Sequence, residues 1–353
     1  MLISDFDYEL PDELIAQSPA AERDASRMLV VERANASWRD SFFRDLPAEL
    51  SERDVLVVNN TRVFPARLAG RREPTGGRVE IFLINERAPA VWDALARPAR
   101  RLQRGQFISF GDGRLRAEVV EAHGDGRRTL RFHAAGDFHT LLEEFGEVPL
   151  PPYIKRGTAD GGNSDDPRRA EDRERYQTIY AQTRGAIAAP TAGLHFTPRV
   201  LDDLRARGVT TIELTLHVGY GTFAPVRVED LSGHAVEPER YEITEEAADV
   251  LNEARAEGRR IVAVGTTTVR ALESAADERG RIRAGAGVAS LTITPGYEFK
   301  SVGALVTNFH LPRSSLLVLV ASLAGRDLAL AAYRHAVAAR YRFYSYGDCM
   351  LIK

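Results

Sequence analysis

Cysteine is nearly absent from this chain: Cys349 stands alone among 353 residues. A single thiol excludes disulfides and any zinc site built on cysteines. Lysine is scarce too, since Lys155, Lys300 and Lys353 leave 44 of the 47 basic residues to arginine. Codon composition produces such a bias as readily as function, so arginines carry meaning only through position. Long apolar runs are missing: Leu316 to Ala324 falls far short of the ~20 residues of a membrane span. Met1-Leu-Ile-Ser-Asp-Phe-Asp has acids where a signal peptide has bases. The expected compartment is therefore cytoplasmic, with no membrane partner. Familiar catalytic signatures are also lacking: no Gly-x-x-x-x-Gly-Lys phosphate loop, no His-Glu-x-x-His pair and no Gly-x-Ser-x-Gly elbow. Gly219-Tyr-Gly-Thr-Phe-Ala matches a dinucleotide pattern, but Pro225-Val-Arg-Val follows where a phosphate-binding helix would have to open. Those glycines suit a sharp turn or close approach to a ligand. The eight histidines form no metal spacing, so no metal ligand is assigned, and His123, His133 and His139 read as surface residues.

What is present is ordinary in bulk. The chain is 44% hydrophobic and 27% charged, enough for a sizeable core, and its length suits two or three domains. The net charge of −3 hides an asymmetry: residues 62–156 hold 17 Lys/Arg against 12 Asp/Glu, a net of +5, leaving −8 for the rest. A basic segment in an acidic protein suits a polyanionic partner.

The texture changes along the chain. Through Leu50 it reads as irregular structure and short elements, followed by a short buried strand at 54–58. From Pro65 to Leu150, short runs such as Arg78-Val-Glu-Ile-Phe-Leu-Ile alternate with glycine turns, which predicts a small antiparallel barrel or sandwich. Gly157 to Arg175 reads as a flexible surface loop. Then helix and strand alternate: a helix capped by Thr197 and ended at Gly208, a strand from Val209, a helix over 244–256, a strand at 261–264, a helix from Thr266, and a last helix over 326–340. This predicts a layered α/β domain, residues 1–62 plus 157–353, interrupted by a β-barrel domain at 63–156.

Four stretches are unusual as mere scaffolding. In Gly185-Ala-Ile-Ala-Ala-Pro-Thr-Ala-Gly-Leu-His195, small residues and a histidine precede a helix start with free N–H groups. His217 ends a strand, where ligands collect in open α/β sheets. Gly265-Thr-Thr-Thr-Val-Arg270-Ala-Leu-Glu273 makes a polar helix start suited to a carboxylate or ribose hydroxyls, although Arg270 and Glu273 also fit an ordinary surface pair. Thr307-Asn-Phe-His310-Leu-Pro-Arg, with Tyr341-Arg-Phe-Tyr-Ser-Tyr346-Gly-Asp348, gathers aromatics and polar groups that suit a flat base or a cation.

Taken in order, these stretches resemble the S-adenosylmethionine:tRNA ribosyltransferase-isomerases of queuosine biosynthesis. The resemblance runs from Asp5-Phe-Asp-Tyr-Glu-Leu-Pro through Asn59-Asn-Thr-Arg-Val-Phe-Pro-Ala-Arg, Ala189-Pro-Thr-Ala-Gly-Leu-His-Phe-Thr, Leu216-His-Val-Gly-Tyr-Gly-Thr-Phe and Thr307-Asn-Phe-His-Leu-Pro to Tyr341-Arg-Phe-Tyr-Ser-Tyr-Gly-Asp. It implies an α/β fold with an inserted barrel. It also implies a reaction in which S-adenosylmethionine donates its ribosyl group to 7-aminomethyl-7-deazaguanine at the tRNA wobble position. The products would be epoxyqueuosine-tRNA, adenine and methionine. S-adenosylmethionine is then a substrate, no cofactor is retained, and the expected state is a monomer.

The chemistry needs a base for an acidic C5′ proton beside the sulfonium, an acid for adenine and a neutral acceptor amine. The expected catalytic residues are His195, His217 and His310, in that order, with Glu239 or Asp348 facing the sulfonium or the amine. Asn60, Thr61, Arg62, Thr266, Thr267, Arg270 and Tyr346 are expected to bind the donor. One departure stands out. Where the family carries His-x-Met-His-x-Glu, this chain reads His234-Ala-Val-Glu237-Pro-Glu239. A carboxylate at 237 can act as base or pair a cation, but its pKa starts about two units below histidine's. The alternatives are a divergent homologue that binds tRNA and S-adenosylmethionine without turnover, and an enzyme of the same fold acting on another RNA or a free base. The Arg97–Arg104 stretch is the expected contact for tRNA phosphates.

Overall fold

The computed structural model describes residues 1–156, 167–223, 226 and 228–353. A nine-stranded mixed sheet forms the body. Its order is Gly285–Ala289, Glu239–Ile243, Thr210–Leu216, Asp54–Asn59, Arg260–Val264, Val302–Asn308, Cys349–Ile352, Arg27–Glu32 and Ser37–Phe42. Asp54–Asn59 lies at the centre, parallel to Thr210–Leu216 on one side and Arg260–Val264 on the other. Val55, Leu56, Val57 and Val58 are buried on both faces, as parallel strands under helices must be. Each such side chain contributes roughly 1.5–3 kcal/mol.

The helices form where the sequence carries caps. Thr197 Oγ1 accepts from the Val200 N–H to start Pro198–Ala206, and Thr244 Oγ1 accepts from the Ala247 N–H to start Glu245–Ala256. Helices Ser315–Ala324 and Arg326–Ala338 meet at 116° across Gly325, whose φ of 87° glycine adopts without penalty. Among the described residues, no single helix is long and apolar enough to cross a membrane.

Six strands form the antiparallel barrel: Arg67–Arg72, Gly77–Ala88, Val91–Arg97, Arg127–Ala134, Leu115–Ala122 and Phe107–Phe110. Pairing of Arg71 with Ser109 and Arg72 with Ile108 closes the ring. Val79, Ile81 and Leu83 fill its interior while Arg78, Glu80 and Phe82 alternate outward. The chain is thus a layered α/β body with an inserted small antiparallel barrel.

The structure refines one local expectation and corrects another. The short elements expected before Leu50 include two strands, Arg27–Glu32 and Ser37–Phe42, which form an antiparallel pair at the sheet's edge. Met28-Leu-Val-Val is buried because it docks in parallel on Cys349–Ile352, a partner that no local pattern announces. The expected loop after Gly157 ends in a helix, Pro167–Arg175, anchored by buried Asp172, which accepts both Arg156 Nε and Nη2 (2.7 and 2.8 Å). Residues 157–166 of that expected loop lie outside the described residues, as do 224, 225 and 227 of the Gly219–Val228 stretch.

Candidate active site

Four central strands end on the same edge of the sheet, at Asn59, Leu216, Val264 and Asn308. A cleft of about 150 Å³ opens there, where ligands of open α/β sheets bind. Gly265, Thr266 and Thr267 supply one wall, and Ser314, Ser315 and Leu316 another. Both sets are helix starts. Gly265, at φ 93°, caps its helix without a side-chain acceptor, so backbone N–H groups at that end remain for a ligand. Ser314 Oγ caps the other helix at the Leu317 N–H.

Thr307, Asn308, Phe309 and His310 line the cleft where the strand beneath it ends. His310 is locked in place. Its Nε2 meets Thr307 Oγ1 at 2.8 Å, its N–H donates to Tyr333 Oη at 3.1 Å, and its carbonyl accepts from Tyr8 Oη. Burial lowers its pKa to about 3, so the imidazole is neutral at physiological pH. Asn308 Nδ2 donates towards the carbonyls of Tyr344 (3.1 Å) and Asp348 (3.4 Å), which fixes the amide's orientation. His195 Nε2, 3.1 Å from the same Nδ2, must then be an acceptor. Asn308 Oδ1 is buried without a partner in a residue that lines the cleft. Tyr344, at φ 73°, and Tyr153 complete an aromatic wall, their rings 3.9 Å apart edge to face.

A second lobe of about 30 Å³ shares Thr266, Thr267, Ser315 and Leu316 and adds His234, Val236, Glu237 and Arg270. His234 Nε2 is buried there without a partner. Glu237 is exposed at the lobe's rim, packed so closely over Gly221 that a Cβ there would lie 2.6 Å from its own.

The expected site residues thus separate. His310, Thr266 and Thr267 share the main cleft, and Arg270 lines the second lobe. Arg270 is not a free donor: it binds Glu239 Oε2 at 2.5 Å and the carbonyls of Glu237, Ala289 and Leu291. Glu239 also accepts the Gly219 N–H at 2.9 Å, so this pair braces the wall of the lobe. Arg270 and Glu273 form no surface pair, because Glu273 is buried and accepts from Tyr297, Lys300, Ser301 and Val302.

The other expected residues lie elsewhere. His195, first in the expected order, sits behind the cleft in a separate hollow with Tyr346 and Arg23. Burial, Arg23 and Arg342 hold its pKa near 3, and its hydrogen-bond contact with the cleft's lining is Asn308. Tyr346 donates to Asp172, 2.9 Å away, rather than to a ligand. Asp348 takes the backbone N–H groups of Arg27 and Arg342, and burial raises its pKa; it stitches the C-terminal turn to the sheet. His217 meets Thr61 Oγ1 at 2.9 Å, with burial lowering its pKa first and Arg240 adding to that. Asn60 is occupied by Glu213 and Thr215, and Arg62 is exposed. Neither His217 nor residues 60–62 line the cleft. Asn308, inside the Thr307–Arg313 stretch, and Tyr344, inside the Tyr341–Asp348 stretch, are not among the expected site residues. The only sequence signal was their place inside stretches already conspicuous for histidine and aromatics.

A cleft at the carboxyl edge of a parallel sheet, walled by two helix starts and fitted with a neutral imidazole, an amide and tyrosines, is a polar concave site of the kind α/β enzymes use. The chain belongs to the Queuosine biosynthesis protein family, whose sequence pattern matches residues 3–352. It is 52% identical to an S-adenosylmethionine:tRNA ribosyltransferase-isomerase of Symbiobacterium thermophilum and 50% identical to one of Pelotomaculum thermopropionicum, in each case over 100% of both chains. A crystal structure of an S-adenosylmethionine tRNA ribosyltransferase from Thermotoga maritima is 37% identical, with a TM-score of 0.54 over 99% of this chain and 100% of that one.

Proposed function

We propose that this enzyme, a transferase-isomerase, moves and rearranges the ribosyl group of S-adenosylmethionine onto 7-aminomethyl-7-deazaguanine at the tRNA wobble position. Adenine and methionine leave, and epoxyqueuosine remains in the tRNA. The observation that supports it is full-length identity of about 50% to relatives carrying that enzyme name. S-adenosylmethionine is consumed as a substrate, with no retained cofactor. The setting we propose is cytoplasmic, with the chain acting as a monomer of two units, 63–156 and the remainder.

The cleft suggests the roles. The helix start at Thr266 and Thr267 suits the donor's carboxylate or ribose hydroxyls. Tyr344 and Tyr153 offer a face to adenine or to the acceptor base. His310 lines the cleft in the neutral form that a base for the C5′ proton needs, although its low pKa makes it a weaker base than an ordinary imidazole. Asn308 Oδ1 can accept a hydrogen bond from the ligand, with His195 as its positioning residue. Glu237 at the rim suits a cationic partner, the sulfonium or the acceptor ammonium before it loses its proton.

The test is direct: incubate the protein with S-adenosylmethionine and tRNA bearing the deazaguanine, and measure free adenine. Adenine released together with methionine is the expected result. Binding of both substrates without adenine would overturn the reading in favour of a form without turnover, which these relatives do not support. No binding would point to another RNA or a free base.

A further inference from the structure

We infer that the outer face of barrel strands Arg67–Arg72, Gly77–Ala88 and Val91–Arg97, with the loop that follows, docks the phosphate backbone of the tRNA's anticodon arm. This inference rests on the proposed reading of tRNA as the acceptor. It goes further than the Arg97–Arg104 stretch, because strand register brings in arginines remote in sequence. Arg71 lies directly across from Arg78, and Arg97 lies one strand further on, opposite Glu80. All three are on the outward set of positions. Like charges directly opposite one another destabilise a strand pair, so the Arg71–Arg78 pairing is a cost that the barrel's own stability does not explain.

The barrel's other arginines show the contrast. Arg87, Arg114, Arg116, Arg127 and Arg131 each lie within 4.0 Å of a carboxylate. Among the described residues, no such ion pair forms at Arg71, Arg72, Arg78, Arg97, Arg100, Arg101 or Arg104. Glu73, at the same end, is committed to Arg116, and Glu80 is 3.9 Å from Arg67. The loop is also held rather than loose. Buried Arg128 grips the carbonyls of Ala99 and Leu102, and Arg72 Nη1 donates to the Arg101 carbonyl at 3.1 Å. Arg100, Arg101 and Arg104 therefore stand exposed on a fixed frame.

The face also leads to the site. Phe82, on the same outward row as Arg78, packs against Tyr220 at 5.9 Å, and the next residue, Gly221, lines the second lobe. Arg78 is four residues along that strand, roughly 13 Å from Phe82. A nucleotide whose base enters the cleft would place its neighbouring phosphates along this row.

The experiment measures tRNA affinity against salt concentration, alongside adenine release. Arg71→Glu/Arg78→Glu/Arg101→Glu should weaken tRNA binding roughly 10- to 100-fold and flatten the slope of log K against log salt by about 2–3. S-adenosylmethionine affinity, measured without tRNA, should not change, which shows that the variant is folded. The matching glutamine triple variant should give a smaller loss in the same direction. Arg131→Glu, on a neutralised arginine, should leave the slope unaltered. An unchanged slope in both triple variants would overturn the inference, and so would an equal loss from Arg131→Glu. A protein that binds tRNA with these slopes but releases no adenine would overturn the proposed activity and leave the docking surface standing.

Discussion

Body and barrel treat charge in opposite ways. In the body, the buried charged side chains are saturated by the protein itself. Glu273 collects donors from a whole turn, Asp348 takes two backbone N–H groups, and Arg270 is enclosed by Glu239 and three carbonyls. On the barrel, buried Arg128 apart, the arginines lie at or near the surface and divide into paired and unpaired. Buried charge in the body is architecture, and what the cleft offers ligands is mostly neutral, an imidazole, an amide, hydroxyls and backbone N–H groups, with exposed Glu237 and Arg313 the charged exceptions in its lining. Charge on the barrel is left for a partner. Residue type alone does not tell these uses apart; the difference lies in what surrounds each charge.

The largest effect should come from the neutral set. His310→Ala should lower the rate of adenine release about 10²- to 10⁴-fold, the range of a lost general base. Turnover near wild type with saturating substrates would remove His310 from the chemistry. His195→Ala should fall short of that and change kcat and KM together, because it acts through the orientation of Asn308.

Next comes the architectural set. Glu239→Ala should destabilise the fold by about 3–5 kcal/mol in urea denaturation, since it leaves Arg270 buried without its counter-ion. Arg78→Glu on the barrel, which sets a carboxylate opposite Arg71, should keep stability or raise it by up to about 1 kcal/mol. Equal losses from the two would break the comparison.

The buried imidazoles predict a pH dependence. His195 and His310 have folded-state pKa values near 3, below the ordinary 6.5. Between those values the unfolded chain binds protons that the folded chain refuses. Stability is therefore complete above about pH 6.5 and declines as pH falls towards 3. Denaturation midpoints at pH 7 and pH 5 check this, and His310→Gln should reduce the difference. The smallest effect belongs to Glu237, an exposed charge at the rim. Glu237→Gln should lower kcat/KM for tRNA by about tenfold or less, and Glu237→His should restore most of it. A neutral result would make this position a spacer.

Much of the fold was legible because the body announces itself locally. Thr197 and Thr244 cap where hydroxyls should, and Val55 to Val58 read as a buried strand. The barrel was legible from alternation around Ile81 and from its glycine turns. The edge pair at 27–42 was not, because its burial depends on a partner at the far end of the chain. The site was half legible. The histidine-bearing stretches were conspicuous, but sequence cannot tell a histidine facing a cleft from one behind its wall. The expected order puts His195 before His310, whereas His310 lines the cleft and His195 a hollow behind it, and Arg270 looks available in sequence because its carbonyl partners come from residues 237, 289 and 291.

The position of Cys349–Ile352 between Val302–Asn308 and Arg27–Glu32 has a consequence for biosynthesis. The hairpin at 27–42 leaves the ribosome early, yet its place in the sheet does not exist until residues more than 300 positions later have been made. Throughout translation its apolar face, Met28 to Val31, must be sheltered or tolerated. A chain interrupted before residue 349 would leave two unpaired strand edges, a mark by which quality control could distinguish an unfinished product from a finished one.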